Sequence, residues 1–170
     1  SAFGHIDAVV KGGRVWNDVP YPLLIIPNAN LSYTLQKESF ALMNPMEFIA
    51  DNYVSWEAIY YMNGALFNRL PFIKRLGWRE VIDFKGFYGS LRPGNMPDAT
   101  NSHNLFMFPT PTRQTVTERT MLTSTPYMEL SFGIANIFKV LEVDYVRRLT
   151  YLNVPGISKH GVRIRVHVEF

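Results

Sequence analysis

The residues best able to do chemistry in this chain are few, and their spacing decides what they can do. Its four histidines, His5, His103, His160 and His167, stand alone, none within four residues of another. Zinc sites bring ligands together at short, characteristic spacings, and that pattern is missing. Asp51 and Glu57 are an even number of residues apart, so on an extended strand they would share a face and could form an acid/base pair. The competing reading is that they are structural carboxylates facing Arg and Lys on neighbouring strands, and it is the stronger one. The glycines of "FGHIDAVVKGG" and "GFYGSLRPGN" do not make a phosphate loop, since no Gly-Lys-Ser/Thr follows and no helix opens there. A G-x-S-x-G nucleophile elbow is absent, and with no cysteine there is no thiol nucleophile, thiolate metal site or disulfide. The residues point to a non-enzymatic protein that needs no cofactor or metal. A last candidate is the cationic set Lys11, Arg79, Lys85, Arg163 and Arg165, which could attract an anionic solute. The same cations read more simply as partners of Asp7, Asp51, Asp83, Glu129, Glu142 and Asp144.

What positions these residues is a recurring element: roughly ten residues of apolar/polar alternation followed by a turn. Hydrophobic residues make up 47% of the 170 and charged residues only 18%, while aromatics reach 14%. The net charge of +3 is dispersed along the chain, so no basic patch suited to nucleic acid exists. No stretch approaches the ~20 consecutive apolar residues of a membrane-spanning helix.

Seven strands are predicted. "GHIDAVVKGGRVW" sets Ile6, Ala8 and Val10 against His5, Asp7 and Lys11; "SYTLQKESFALM" is a weaker, more polar strand. Met46 to Gly64 is a long one, with Val54, Trp56, Ala58 and Tyr60 opposite Asp51, Tyr53, Ser55 and Glu57. "WREVIDFKGFYGSLR" sets Ile82, Phe84 and Tyr88 against Arg79, Asp83 and Lys85. "PYMELSFGIANIF" sets Met128, Leu130 and Phe132 against Glu129 and Ser131, and "VLEVDYVRRLTYL" sets Val143 and Tyr145 against Glu142, Asp144 and Arg148. The closing "HGVRIRVHVEF" puts Val162, Ile164, Val166, Val168 and Phe170 on one face and Arg163, Arg165, His167 and Glu169 on the other. Between them, Pro93 to Thr125 reads as one long loop. "LFNRLPFIKRLG" reads as a turn broken at Pro71, with a basic interfacial helix as the alternative.

Strands that are apolar on one face and ionised on the other, with aromatic residues near their ends, suit a transmembrane β-barrel with lipid outside and a polar lumen. Such a sheet must close, because hydrocarbon cannot satisfy a free edge. The expected fold class is therefore all-β: an antiparallel transmembrane β-barrel. The odd strand count and the opening residues, already mid-strand, make residues 1–170 the C-terminal portion, about seven strands, of one larger barrel domain. Arg163, Arg165, His167 and Glu169 are expected to face the lumen. The first and last strands are expected to pair with strands from outside this chain and not with each other. An undercount by one would place a further strand near Leu105 to Phe108 or Thr115 to Leu122. Pro93 to Thr125 is expected on the extracellular side and "LFNRLPFIKRLG" on the periplasmic side. A soluble β-barrel binding protein is the least favoured alternative, because a soluble calyx is apolar inside.

The ending at Val166, Val168 and Phe170 resembles the C-terminal β-signal of Gram-negative outer-membrane barrels. It departs from that signal in carrying Arg163 where a glycine is usual, with Gly161 two residues earlier. The order "PYMELSFGIANIF", minimal turn, "VLEVDYVRRLTYL", loop, terminal strand is similar to the end of the surface-antigen barrels of the BamA and TamA type. "PNANLSYTLQKESFALMNPMEF", "FNRLPFIKRLGWREVI" and "KGFYGSL" resemble a branch of that superfamily with a carboxypeptidase-regulatory-like domain ahead of the barrel. The resemblance implies an outer-membrane location and a role in envelope protein assembly, export or anchoring, with a small-solute channel as the alternative. Its implied partners are the lipid bilayer, the upstream strands of the same barrel and other outer-membrane or periplasmic proteins, and no nucleic acid. Assembly and translocation members carry an Arg-Gly-aromatic motif on a lumenal loop ahead of the strand matching Met46 to Gly64. Here that connection reads as "LMNPMEF", without the motif, which puts insertase activity by the usual route in doubt.

Overall fold

The structure, a computed structural model, describes residues 4–32, 34–35, 38–96 and 122–166. It is all-β. Six strands form one antiparallel sheet in chain order: β1 (His5–Arg14), β2 (Asn52–Tyr61), β3 (Arg79–Ser90), β4 (Tyr127–Ile137), β5 (Leu141–Arg148) and β6 (His160–Val166). The sheet is not closed into a barrel: among the described residues β1 has only β2 as a strand partner and β6 only β5. At 10, 10, 12 and 11 residues, β1 to β4 are about twice as long as the usual strand of five or six residues.

The alternation carries from strand to strand because consecutive strands pair in register, interrupted by a bulge in β4 between Ile134 and Ile137. Tyr60, Ile82, Phe132, Tyr145 and Val162 lie in one cross-strand row on the apolar face. Glu57, Lys85, Glu129 and Arg148 lie in a row on the other, alternating in sign from strand to strand. The faces differ in a way opposite to a soluble sheet. Val10, Val162 and Val166 are 72%, 53% and 54% exposed, whereas Asp83, Glu142 and Asp144 are 2%, 0% and 0% exposed. On the apolar face Gly86 is obligatory, since a Cβ there would come within 2.0 Å of the Trp56 ring packed on it. On the charged face a Cβ at Gly133 would come within 2.3 Å of the Asp144 carboxylate.

Three sequence expectations need correction. "SYTLQKESFALM" forms no strand of the sheet among its described residues, so six strands are described where seven were expected; what can be described of it makes only the isolated bridges Ala29↔Phe40 and Thr34↔Ile164. Its apolar residues Leu35, Phe40, Ala41, Leu42 and Met43 are buried together instead of alternating, which a two-faced ribbon cannot achieve. The expected strand from Met46 to Gly64 is confined to β2, Asn52–Tyr61, because residues 46–51 belong to the same buried segment. And "LFNRLPFIKRLG" does contain a helix: after a 3-10 turn at Phe67–Arg69, α1 (Pro71–Leu76) has Pro71 in its first turn. Proline's fixed φ and missing N–H suit a helix start, so the residue read as a breaker is the initiator. Gly77, with φ 68°, ends it. His167, Val168, Glu169, Phe170 and most of the long loop, including Leu105 to Phe108 and Thr115 to Met121, lie outside the described residues.

Candidate functional site: a charged wall and the segment laid on it

The connection between β1 and β2, residues 15–51, is far longer than the "LMNPMEF" turn read from the sequence, and its residues 39–43 and 47–51 lie on the charged face of the sheet. Ser39 to Met43 and Glu47 to Asp51 are buried. Irregular backbone in a buried place must find partners for its N–H and C=O groups. The wall supplies them. Glu129 accepts hydrogen bonds from the backbone N–H of Ala41 (2.8 Å) and Leu42 (2.7 Å), and from the Tyr127 hydroxyl (2.6 Å). Lys85 donates to the Ser39 carbonyl at 3.2 Å, and Arg163 to the Ala41 carbonyl at 2.6 Å.

The strongest tether is Arg148, which donates two hydrogen bonds to Glu47, at 3.0 and 2.5 Å. Both side chains are completely buried, and the guanidinium also sits 4.7 Å over the Tyr127 ring. Two planar groups meeting by a fork of hydrogen bonds hold one geometry firmly. Around this pair Phe40, Met43, Phe48, Ala50, Phe87 and Tyr127 form an apolar core, flanked by Tyr53 and Tyr151.

At the rim above this core, Asp51 accepts from the Arg92 Nε (2.8 Å), the Arg92 backbone N–H (3.0 Å) and the Asn95 amide (2.9 Å). Arg92 in turn donates to the carbonyls of Val15, Trp16 and Asn17, tying the start of the 15–51 connection to its end. Burial alone would raise the Asp51 carboxyl. The donors Asn95 and Arg92 together outweigh it and hold the group below its ordinary 3.8.

In the opposite half of the wall the buried charges pair with one another. Arg165 reaches Asp83 (2.6 Å), Asp144 (3.3 Å) and Glu142 (3.4 Å), and Lys85 pairs with Glu57 at 2.7 Å and Asp83 at 3.5 Å. A cavity of about 720 Å³ lies over this half, lined among others by Asp7, Glu57, Tyr61, Lys85 and Arg165. Lys11, at its margin, pairs with Glu38 of the overlying segment.

These contacts sort the candidate residues read from the sequence. Arg163 and Arg165 are on the charged face, but only Arg165 pairs with carboxylates; Arg163 holds backbone instead. Asp51 and Glu57 do not form a pair: the first belongs to the Arg92 rim and the second to Lys85. Arg79 donates to the Asn63 carbonyl and Asn68 instead of a carboxylate. His5 stacks on Tyr61 and His160 on Tyr145, while His103 and His167 lie outside the described residues. Among the described residues no group of three His, Asp or Glu side chains is arranged to hold a metal. Sequence reasoning missed Glu47 as the partner of Arg148. Alternation marks Arg148 as a charged-face residue, but nothing local links it to a residue 101 positions away. No family model, no curated protein and no solved structure matches this chain.

Proposed function

We propose that this chain is the C-terminal portion of an integral, non-enzymatic outer-membrane β-barrel, with lipid against the apolar face and the lumen against the charged one. The observation that carries the reading is the inverted burial of the sheet, with apolar side chains exposed on one face and ionised ones buried on the other. A soluble sheet with that outer surface would present an extended apolar patch to water. The edge of β1, and that of β6 beyond its single bridge to Thr34, support closure by strands outside the described residues, because in hydrocarbon each unpaired backbone group would cost several kcal/mol. In this reading the 15–51 connection is an extracellular loop folded back into the lumen, and the turns at residues 62–78 and 138–140 are periplasmic.

Within the outer membrane, a role in envelope protein assembly, export or anchoring fits better than an open diffusion channel. Residues 39–51 fill the space over half of the wall with a packed apolar core and a buried ion pair, which is poorly suited to solute flow. The test is extraction. The protein should stay with membranes through high salt and carbonate and be released by detergent; release without detergent overturns the reading. Single-channel recording of the intact protein then separates the two roles, since a steady open conductance would favour the channel.

A further inference from the structure

At one end of the sheet the two described connections combine exposed apolar side chains with positive charge and nothing else ionised. Residues 62–78 carry Arg69, Lys74 and Arg75 with no acid, and Lys139 lies in the turn between β4 and β5. All four are exposed. Beside them Phe72 is 83% and Phe138 85% exposed, and Leu66, Leu70 and Leu76 are also exposed. The 15–51 connection at the other end has the opposite balance: Asp18, Glu38, Glu47 and Asp51 against Lys37.

The end is built, and it is continuous with the apolar face. Glu80, completely buried at the foot of β3, accepts the backbone N–H groups of Leu66 (3.0 Å) and Phe67, fixing the turn before α1. The Asn136 amide donates to the Gly77 carbonyl at 2.7 Å, joining the C-terminus of α1 to the neighbouring β4–β5 connection. The two phenylalanines and four cations thus sit on one braced collar at the margin of the outward sheet surface that carries Tyr60, Ile82 and Phe132.

We propose that this collar is an anchor for the phospholipid interface, with Phe72, Phe138 and the nearby leucines entering the outer acyl region and Arg69, Lys74, Arg75 and Lys139 holding anionic phosphate headgroups. Apolar side chains flanked by Lys and Arg are how interfacial segments bind membranes, each cation adding attraction to anionic lipid. The acid-free charge of the two connections selects anionic headgroups over zwitterionic ones. The proposal rests on the barrel reading above, and the experiment keeps the two apart.

The chain has no cysteine, so Phe72→Cys and Leu130→Cys can each carry one spin label here. The intact protein, reconstituted in phosphatidylcholine vesicles with or without phosphatidylglycerol, would be read for label depth. The Leu130 label should lie in the acyl chains, and the Phe72 label at headgroup level, deeper when phosphatidylglycerol is present. Adding R69Q, K74Q and R75Q together should abolish that dependence while the Leu130 label stays buried. A Phe72 label in water beside a buried Leu130 label overturns the anchor and leaves the barrel standing. A headgroup-level Phe72 label indifferent to phosphatidylglycerol and to the triple substitution overturns the recognition of anionic lipid. Both labels in water would overturn the barrel reading and the anchor with it.

Discussion

The two halves of the charged wall are built from the same strands by the same alternation, yet they end in different states. Near the 15–51 connection the wall is covered: Glu129, Lys85, Arg163 and Arg148 spend their hydrogen bonds on an inserted segment, and aromatic residues close over them. Toward the far end the wall keeps its charges to itself, Arg165 facing three carboxylates beside an open cavity. A strand pattern sets which residues face the interior; what those residues bind depends on what else is laid against them. A buried ion pair in the covered half is committed, because losing one partner strands the other. In the other half Arg165 borders the cavity and Asp83 keeps Lys85 as a second partner, so the same kind of change is milder.

The largest expected effect is therefore in the covered half. Glu47→Ala leaves Arg148 buried and unpaired and should destabilise by about 3–5 kcal/mol, read as the urea midpoint of unfolding from detergent or vesicles. The double variant Glu47→Ala/Arg148→Met should recover most of that loss. A cost below about 1 kcal/mol for Glu47→Ala would mean that the pair does not hold the segment down.

The two faces can be compared at adjacent positions of one strand. Phe132→Arg puts a charge into the apolar row of Tyr60, Ile82 and Tyr145 and should cost about 2–4 kcal/mol near the midplane of a bilayer. Ser131→Ala, on the charged face, should cost less than about 1 kcal/mol. Equal sensitivity in vesicle-refolded protein would break the assignment of faces.

In the other half, Arg165→Val should cost about 1.5–3 kcal/mol, the scale of hydrogen bonds to charged groups. Periodicity alone makes this substitution far cheaper than Val166→Arg; the three carboxylates around Arg165 raise its expected cost. Restoring a cation with Arg165→Lys should regain part of the loss. If Arg165→Val proves as costly as Glu47→Ala, the contrast between the two halves fails.

A smaller effect than that of Arg165→Val is expected at the rim. The Asp51 carboxyl is held below its ordinary 3.8, so it contributes stability at pH values above 3.8 and loses that contribution as the pH falls through its lower folded value. Asp51→Asn should cost about 1–2 kcal/mol at neutral pH and should flatten the acid limb of the unfolding midpoint below about pH 4. An unchanged acid limb in the variant would remove Asp51 from the account.

By itself the sequence determined the all-β class and the facing of nearly every strand residue. These follow from the period of two, a local property of extended backbone that neighbours in sequence fix. Val162, Ile164 and Val166 against Arg163 and Arg165 could be read in that way, as could Leu130 against Glu129. What the sequence did not determine is the fate of residues 38–51, because their conformation answers to partners far along the chain. Glu129, 87 residues beyond Leu42, replaces the sheet partner that a strand would have had, and Arg148 meets Glu47 from 101 residues away. Pro71 makes the same point on a smaller scale: its ring disrupts a helix interior and favours a helix start, and only the backbone around it decides which applies. The tertiary structure decided these matters, since irregular buried backbone takes its shape from whichever side chains satisfy it.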